Sequence, residues 1–122
     1  MQPLKGIVIA GRGLARGLGY PTANIEYMSS TPPESGVWTC TVDLGGEPMP
    51  ALAVIGMWPL ENGCPSLEVH LLGTVQEELY GKTLSITLHA KLRDLVAFST
   101  TEALIEQIKK DIEAARSFFG YT

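Results

Sequence analysis

The sequence predicts an all-β fold, a six-stranded antiparallel β-barrel closed on itself and followed by one C-terminal α-helix. Three observations carry this expectation. Short runs rich in β-branched and apolar residues recur over the first three quarters of the chain, separated by Gly, Pro and Asn rather than by helical patterns. The longer runs alternate apolar with polar residues, the period of a strand with one buried face. Only beyond Phe98 does the apolar spacing change to three and four. Strands that follow one another without crossover helices pair antiparallel, and closing the sheet removes its edges.

Leu4 to Ala10 reads as the first strand. It feeds a loop rich in glycine and arginine, Gly11 to Gly19, which runs into Pro21-Thr22-Ala23-Asn24, with a second extended piece over Thr22 to Ile25. Ser29 to Gly36 holds two prolines and no periodicity, so it is a loop. Gly36 to Leu44 alternates and points Trp38, Cys40, Val42 and Leu44 inward. Gly45-Gly46 then turns the chain into a fourth strand, Pro50 to Ile55. Pro59 to Pro65 is a loop. In the fifth strand, Ser66 to Leu72, Leu67, Val69 and Leu71 share one face and Glu68, His70 and Leu72 the other. The sixth, Leu84 to Leu92, sets Ile86, Leu88, Ala90 and Leu92 against Ser85, Thr87, His89 and Lys91. Ser99, with Glu102 three residues on, predicts an N-cap and a capping box. Leu104, Ile105, Ile108, Ile112, Ala115 and Phe119 then form a stripe that packs on the outside of the barrel, a structural role, while Glu102, Glu106, Lys109, Lys110 and Glu113 face water.

At 122 residues, 45% hydrophobic and 18% charged, the chain has the size and composition of one globular domain that can bury a core. No apolar run approaches a membrane span, and the N-terminus lacks the anatomy of a secretory signal, so the expected location is cytoplasmic. Cys40 and Cys64 lack metal-ligand spacing; Cys40 reads as a small core residue, and a disulfide between the two stays open on sequence grounds. A net charge of −4 argues against a nucleic-acid partner, and the pair Arg12 and Arg16 in one short loop points to a small phosphorylated ligand.

The glycine loop invites that ligand. Without Cβ atoms its backbone N–H groups can approach a phosphate, and Arg12 and Arg16 add charge, although the same composition also suits a surface loop. Gly11, Gly13 and Gly17 do not fit the dinucleotide fingerprint, and Gly81-Lys82-Thr83 lacks the upstream glycine of a P-loop. Thr22 and Asn24, two apart on a strand, project neutral oxygens from one face, a donor set that suits Mg²⁺. Glu68 stands out because glutamate has poor β-propensity; it is either a solvated outward residue or a working carboxylate. His70 shares its face, as a buried structural histidine or as a group orienting Glu68. Asp43, Asp94 and Asp111 show no pairing that suggests glycoside hydrolysis or two-metal chemistry.

Gly6-Ile-Val-Ile-Ala-Gly-Arg-Gly13 and Leu18-Gly-Tyr-Pro-Thr-Ala-Asn-Ile25 resemble the signature of the riboflavin kinase (flavokinase) family. The likeness continues through Gly36-Val-Trp38, Ile55-Gly-Met-Trp-Pro59, Leu67-Glu-Val-His-Leu-Leu72, Leu79-Tyr-Gly-Lys82, Leu92-Arg93 and Phe98, in order over nearly the whole chain. The resemblance implies a Greek-key barrel over about residues 1–92, a flap over about 93–98 and a helix over about 99–119. It implies transfer of the γ-phosphate of Mg·ATP to the 5′-hydroxyl of riboflavin, giving FMN, with Glu68 as general base and Thr22 and Asn24 as Mg²⁺ ligands. Gly11, Arg16 and Thr22 would line the nucleotide phosphates, Leu71, Gly73 and Tyr80 the adenosine, and Arg93, Val96 and Ala97 the flavin. A monomer is expected, with fusion to or association with an FAD-synthetase domain as one arrangement. The chain departs from the usual family pattern at Trp58 to Leu60, at Gly73, and at Asp94 to Ala97, where the flap is more apolar. Those departures motivate the alternatives of a non-catalytic flavin- or nucleotide-binding barrel, or of a kinase for a different polyol-bearing heterocycle.

Overall fold

Alternation along each strand decides which side chains meet inside the sheet. The computed structural model describes residues 3–9, 22–43, 45–59, 63–73 and 79–120, without the side chains of Thr22, Trp58 and Pro59; the Gly/Arg loop, and with it Gly11 and Arg16, lies outside these. The strands are β1 (Leu4–Ile9), β2 (Thr22–Tyr27), β3 (Gly36–Asp43), β4 (Pro48–Pro59), β5 (Pro65–Leu71) and β6 (Thr83–Arg93), followed by helix α1 (Thr101–Phe118). They close into a barrel in the order β1-β2-β5-β4-β3-β6, every pair antiparallel. Strands β3, β4 and β5 form a meander, and β2 lies beside β5, which makes the Greek key.

Inside, Ile25, Cys40, Val42, Ile55, Leu67, Val69, Leu71, Leu84 and Ile86 form one buried cluster with Trp38 packed against it. Both cysteines are buried and neither is in a disulfide, and burial pushes the Cys40 thiol up to about 12, so it stays neutral and inert. A second cluster lies outside the barrel, where Val37, Leu52 and Leu72 meet Ile108, Ile112 and Ala115 of α1, with Leu92, Leu95, Leu104 and Phe119 at its margin. Strand β3 is therefore covered on both faces at its start, more deeply than the half-buried strand its alternation predicts. Each aliphatic side chain so enclosed contributes roughly 1.5–3 kcal/mol. Ile105 does not belong to the cluster, which narrows the predicted helical stripe by one position.

The simple alternation expected of β6 fails after Leu88. On β3, Cys40 pairs with Leu88 and Thr39 with Ala90, so His89 is an extra residue; Trp38 pairs with Lys91 and Val37 with Arg93, so Leu92 is another. Thr39 stitches the first bulge, its hydroxyl accepting from Ala90 N at 3.0 Å and donating to Ala90 O at 3.3 Å. At the second, Gly36 has φ +142°, and a Cβ there would lie 2.7 Å from the Arg93 carbonyl. These slips move Leu92 to the outer cluster and swing Arg93 toward α1, as bulges re-aim side chains.

The helix start is one residue later than the sequence suggests. Thr100 is extended (φ −136°, ψ 155°) and its hydroxyl oxygen accepts from Ala103 N at 3.1 Å, so Thr100 rather than Ser99 is the N-cap. The cause is that residues 94–100 are still crossing the barrel surface with Leu95 packed beneath them. Glu102 then sits at the second helical position, where it favours the helix dipole without closing a capping box. Beyond the end of the helix, Gly120 takes φ +81°, where only glycine is unstrained. Thr100→Ala is expected to lower stability by about 1 kcal/mol, with Ser99→Ala changing it by no more than a few tenths; urea denaturation of the two variants distinguishes the caps.

Candidate active site

Ala23 and Ile25 of β2 and Leu67 and Val69 of β5 point into the barrel, so Asn24, Glu68 and His70 belong to its outer surface. Thr22 pairs with His70 and Asn24 with Glu68; across β4, Leu52 pairs with His70 and Val54 with Glu68. Paired residues share a face. One outward row therefore crosses three strands and runs from the Asn24 amide, through a carboxylate and an imidazole, to aliphatic groups.

Over the β4 and β5 part of this row lies a cleft of about 660 Å³, roofed by the segment after Arg93 and by α1. Val37, Leu52 and Val54 floor it, and Leu95, Val96 and Phe98 cover it. Two polar pairs break the apolar lining. Glu68 Oε1 lies 2.5 Å from His70 Nε2, with the glutamate side chain 29% exposed and the histidine 5%. His70 Nδ1 is buried and has no hydrogen-bond partner among the described residues. Arg93 grips Asp111 with two parallel bonds, Nε to Oδ1 and Nη2 to Oδ2, each 2.8 Å, and Gln107 donates to Oδ1 at 3.1 Å. Arg93 Nη1 also donates to the Asp94 carbonyl at 3.0 Å.

The flap root is thus braced to the helix. The hydrogen bonds to Asp111 hold the Arg93 guanidinium above its ordinary pKa. Lys91 bridges Asp94, at 2.5 Å, and Glu34. Its hydrogen bond lowers the Asp94 pKa and raises its own, but these groups are open to water and the pair adds little stability. An apolar cleft with a few convergent polar groups is the usual form of a small-molecule site. Among the described residues no three His, Cys, Asp or Glu side chains gather to hold a metal.

Glu68, Arg93 and Val96 line the cleft, whereas Asn24 pairs with Glu68 from the neighbouring strand, and Thr22 with His70, without lining it. Leu71 is 1% exposed, its side chain in the barrel core, so only its backbone is available to a nucleotide. Gly73 follows the end of β5, and a Cβ there would lie 3.2 Å from Met49 Sδ. Tyr80 is 66% exposed on a turn whose Gly81 N donates to Val8 O at 2.8 Å, away from the cleft lining. Ala97 is exposed on the flap without lining the cleft.

The sequence matches the flavokinase profile, described as riboflavin kinase, over residues 2–119. The chain belongs to the riboflavin kinase family. It is 40% identical over 116 residues to a bifunctional riboflavin kinase/FMN adenylyltransferase of Pseudomonas fluorescens, covering 93% of this chain and 37% of that protein. Against the protein of that name from Escherichia coli (strain K12) the identity is 39% over 121 residues, covering 98% of this chain and 38% of the relative. The chain therefore spans a little over a third of these relatives. The crystal structure of riboflavin kinase from Trypanosoma brucei is similar with a TM-score of 0.65 at 25% identity, over 97% of this chain and 80% of that one. A Streptococcus pneumoniae structure described as a macrolide-efflux protein reaches 0.80 at 29% identity, over 93% of this chain and 38% of that one.

Within this riboflavin kinase fold the sequence reading missed the Arg93–Asp111 pair and the helix residues Thr101, Leu104 and Ile108 in the cleft wall. Its one signal was a charged residue inside the apolar arc of α1, three after Ile108 and directly before Ile112. Asp111→Asn would leave Arg93 without a carboxylate; because Arg93 is partly exposed, the expected loss is about 2–3 kcal/mol, below that of a fully buried pair. Asp94→Asn, at a carboxylate open to water, should leave stability nearly unchanged. Chemical denaturation of both variants checks the contrast.

Proposed function

We propose that this chain transfers the γ-phosphoryl group of Mg·ATP to the 5′-hydroxyl of riboflavin, releasing FMN and ADP. The observation that carries the reading is Glu68, a half-buried carboxylate fixed by His70 beside an apolar cleft large enough for a planar ring, with Asn24 on the neighbouring strand. An alcohol attacks phosphorus poorly while it keeps its proton, and a carboxylate within hydrogen-bond reach takes that proton as the bond forms. Glu68 has that role. The aliphatic floor and the flap residues Leu95, Val96 and Phe98 receive the isoalloxazine and exclude water from one side.

Asn24, with Thr22 two residues before it, would suit a hard divalent cation because both residue types carry neutral oxygens and would leave its remaining positions to phosphates and water. When bound, Mg²⁺ offsets negative charge on the phosphate oxygens. Gly11, Arg16 and Thr22 serve the phosphates, and the Leu71 backbone, Gly73 and Tyr80 the adenosine. Arg93 has most of its donors committed to Asp111 and Asp94, so its contribution to the flavin is a braced edge of the site rather than a free cation; Val96 and Ala97 add apolar surface. FMN is the substrate of the second activity named in the bacterial relatives, so association with an adenylyltransferase domain, in the cytoplasm, belongs to the proposal.

The test is FMN formation from riboflavin, ATP and Mg²⁺. Wild type should form FMN, EDTA should abolish it, and Glu68→Gln should lower the rate by about 10²-fold or more. Flavin fluorescence quenched on mixing with no ADP released would replace the enzyme with a binding barrel.

A further inference from the structure

Strand β5 places a histidine where the barrel's outer face otherwise asks for an aliphatic residue. His70 is 4% exposed, its cross-strand neighbour Leu52 is 1% exposed, and Leu72 two residues on is also buried. A polar ring in such a place is costly unless it is hydrogen-bonded. The side-chain partner it has among the described residues is Glu68, at 2.5 Å. Successive outward residues of a strand do not touch unless their side chains lean along it toward each other, so this contact fixes both rotamers.

The pairing also fixes the tautomer. An ionised carboxylate can only accept, so Nε2 must carry the hydrogen and Nδ1 is left as a bare lone pair. That is the buried atom without a partner among the described residues. The opposite tautomer would bury an unpaired N–H donor and face a lone pair to the carboxylate. We propose that His70 is a positioning residue for phosphoryl transfer, dividing the two oxygens of Glu68 between Oε1, held by the imidazole, and Oε2, left for the substrate hydroxyl. The inference rests on the kinase reading above. The contact with His70 is made through Oε1, and Glu68 lines the cleft. In the step itself the hydroxyl oxygen bonds to phosphorus, the bond from phosphorus to the ADP oxygen breaks, and the hydroxyl proton passes to Oε2. His70 keeps its hydrogen throughout, and its work is to hold the carboxylate at the geometry of attack.

Two variants separate this role from simple core filling. His70→Leu suits the apolar surroundings but removes the donor, whereas His70→Gln keeps an N–H₂ donor in place of Nε2–H. His70→Leu should lower kcat about 10- to 100-fold, the scale expected for a misplaced catalytic group. KM for riboflavin and ATP should change far less than kcat, and the urea midpoint should be unchanged or raised, since leucine suits the apolar surroundings. His70→Gln should recover kcat to within a few-fold of wild type, and His70→Leu added to Glu68→Gln should cost little more, because the two residues act as a unit. Nitrogen-15 NMR of the wild-type imidazole should find hydrogen on Nε2 and none on Nδ1. The inference is overturned by wild-type kcat in His70→Leu, by equal losses in both variants with lowered midpoints, or by hydrogen on Nδ1. Absence of FMN from the wild type overturns the kinase reading, and this inference with it.

Discussion

Everything at the cleft depends on the two-residue period of β5 between β2 and β4. Leu67, Val69 and Leu71 must enter the barrel core, and once they do Glu68 and His70 have no choice but to face outward. Pairing then brings Asn24 to one side of Glu68 and Val54 to the other. A slip of one residue would bury the glutamate among aliphatic groups and expose Val69, so the same burial that stabilises the sheet also protects the register of the site.

A row on an open barrel surface is not yet a pocket. It becomes one because the two bulges of β6 bend the chain outward and deliver Arg93 to α1, where Asp111 takes both ends of the guanidinium. Bidentate pairing fixes direction as well as distance. The segment from Asp94 to Thr100 is consequently held at its root and at the helix N-cap, while Leu95 ties it to the outer cluster between. The C-terminal helix thereby closes the cleft as well as covering the barrel.

Most of the fold was legible in the sequence because burial writes itself as period. The alternation of β3 and β5, the Gly45-Gly46 turn and the change of spacing after Phe98 all have direct structural counterparts. What was not legible depends on contacts between distant segments. The extra residues His89 and Leu92 are invisible without the partner strand, and the N-cap moved from Ser99 to Thr100 because of where the flap crosses the barrel. On the site, Glu68 announced itself as an acid in a strand, and its contact with His70 was one of two readings the spacing allowed. Arg93 read as a ligand contact, and its engagement with Asp111 emerged only when β6 and α1 were seen side by side. Leu71 shows the reverse limit, since a motif position says nothing about whether side chain or backbone is on offer.

The most direct measurement is a crystal structure with riboflavin, Mg²⁺ and a non-hydrolysable ATP analogue bound. The terminal ribityl hydroxyl should lie within hydrogen-bond reach of Glu68 Oε2, about 2.6–3.2 Å, with the isoalloxazine in the cleft beneath the flap and His70 still on Oε1. A flavin bound elsewhere on the barrel, or one whose terminal hydroxyl points away from Glu68, would contradict the assignment of this cleft and of its carboxylate.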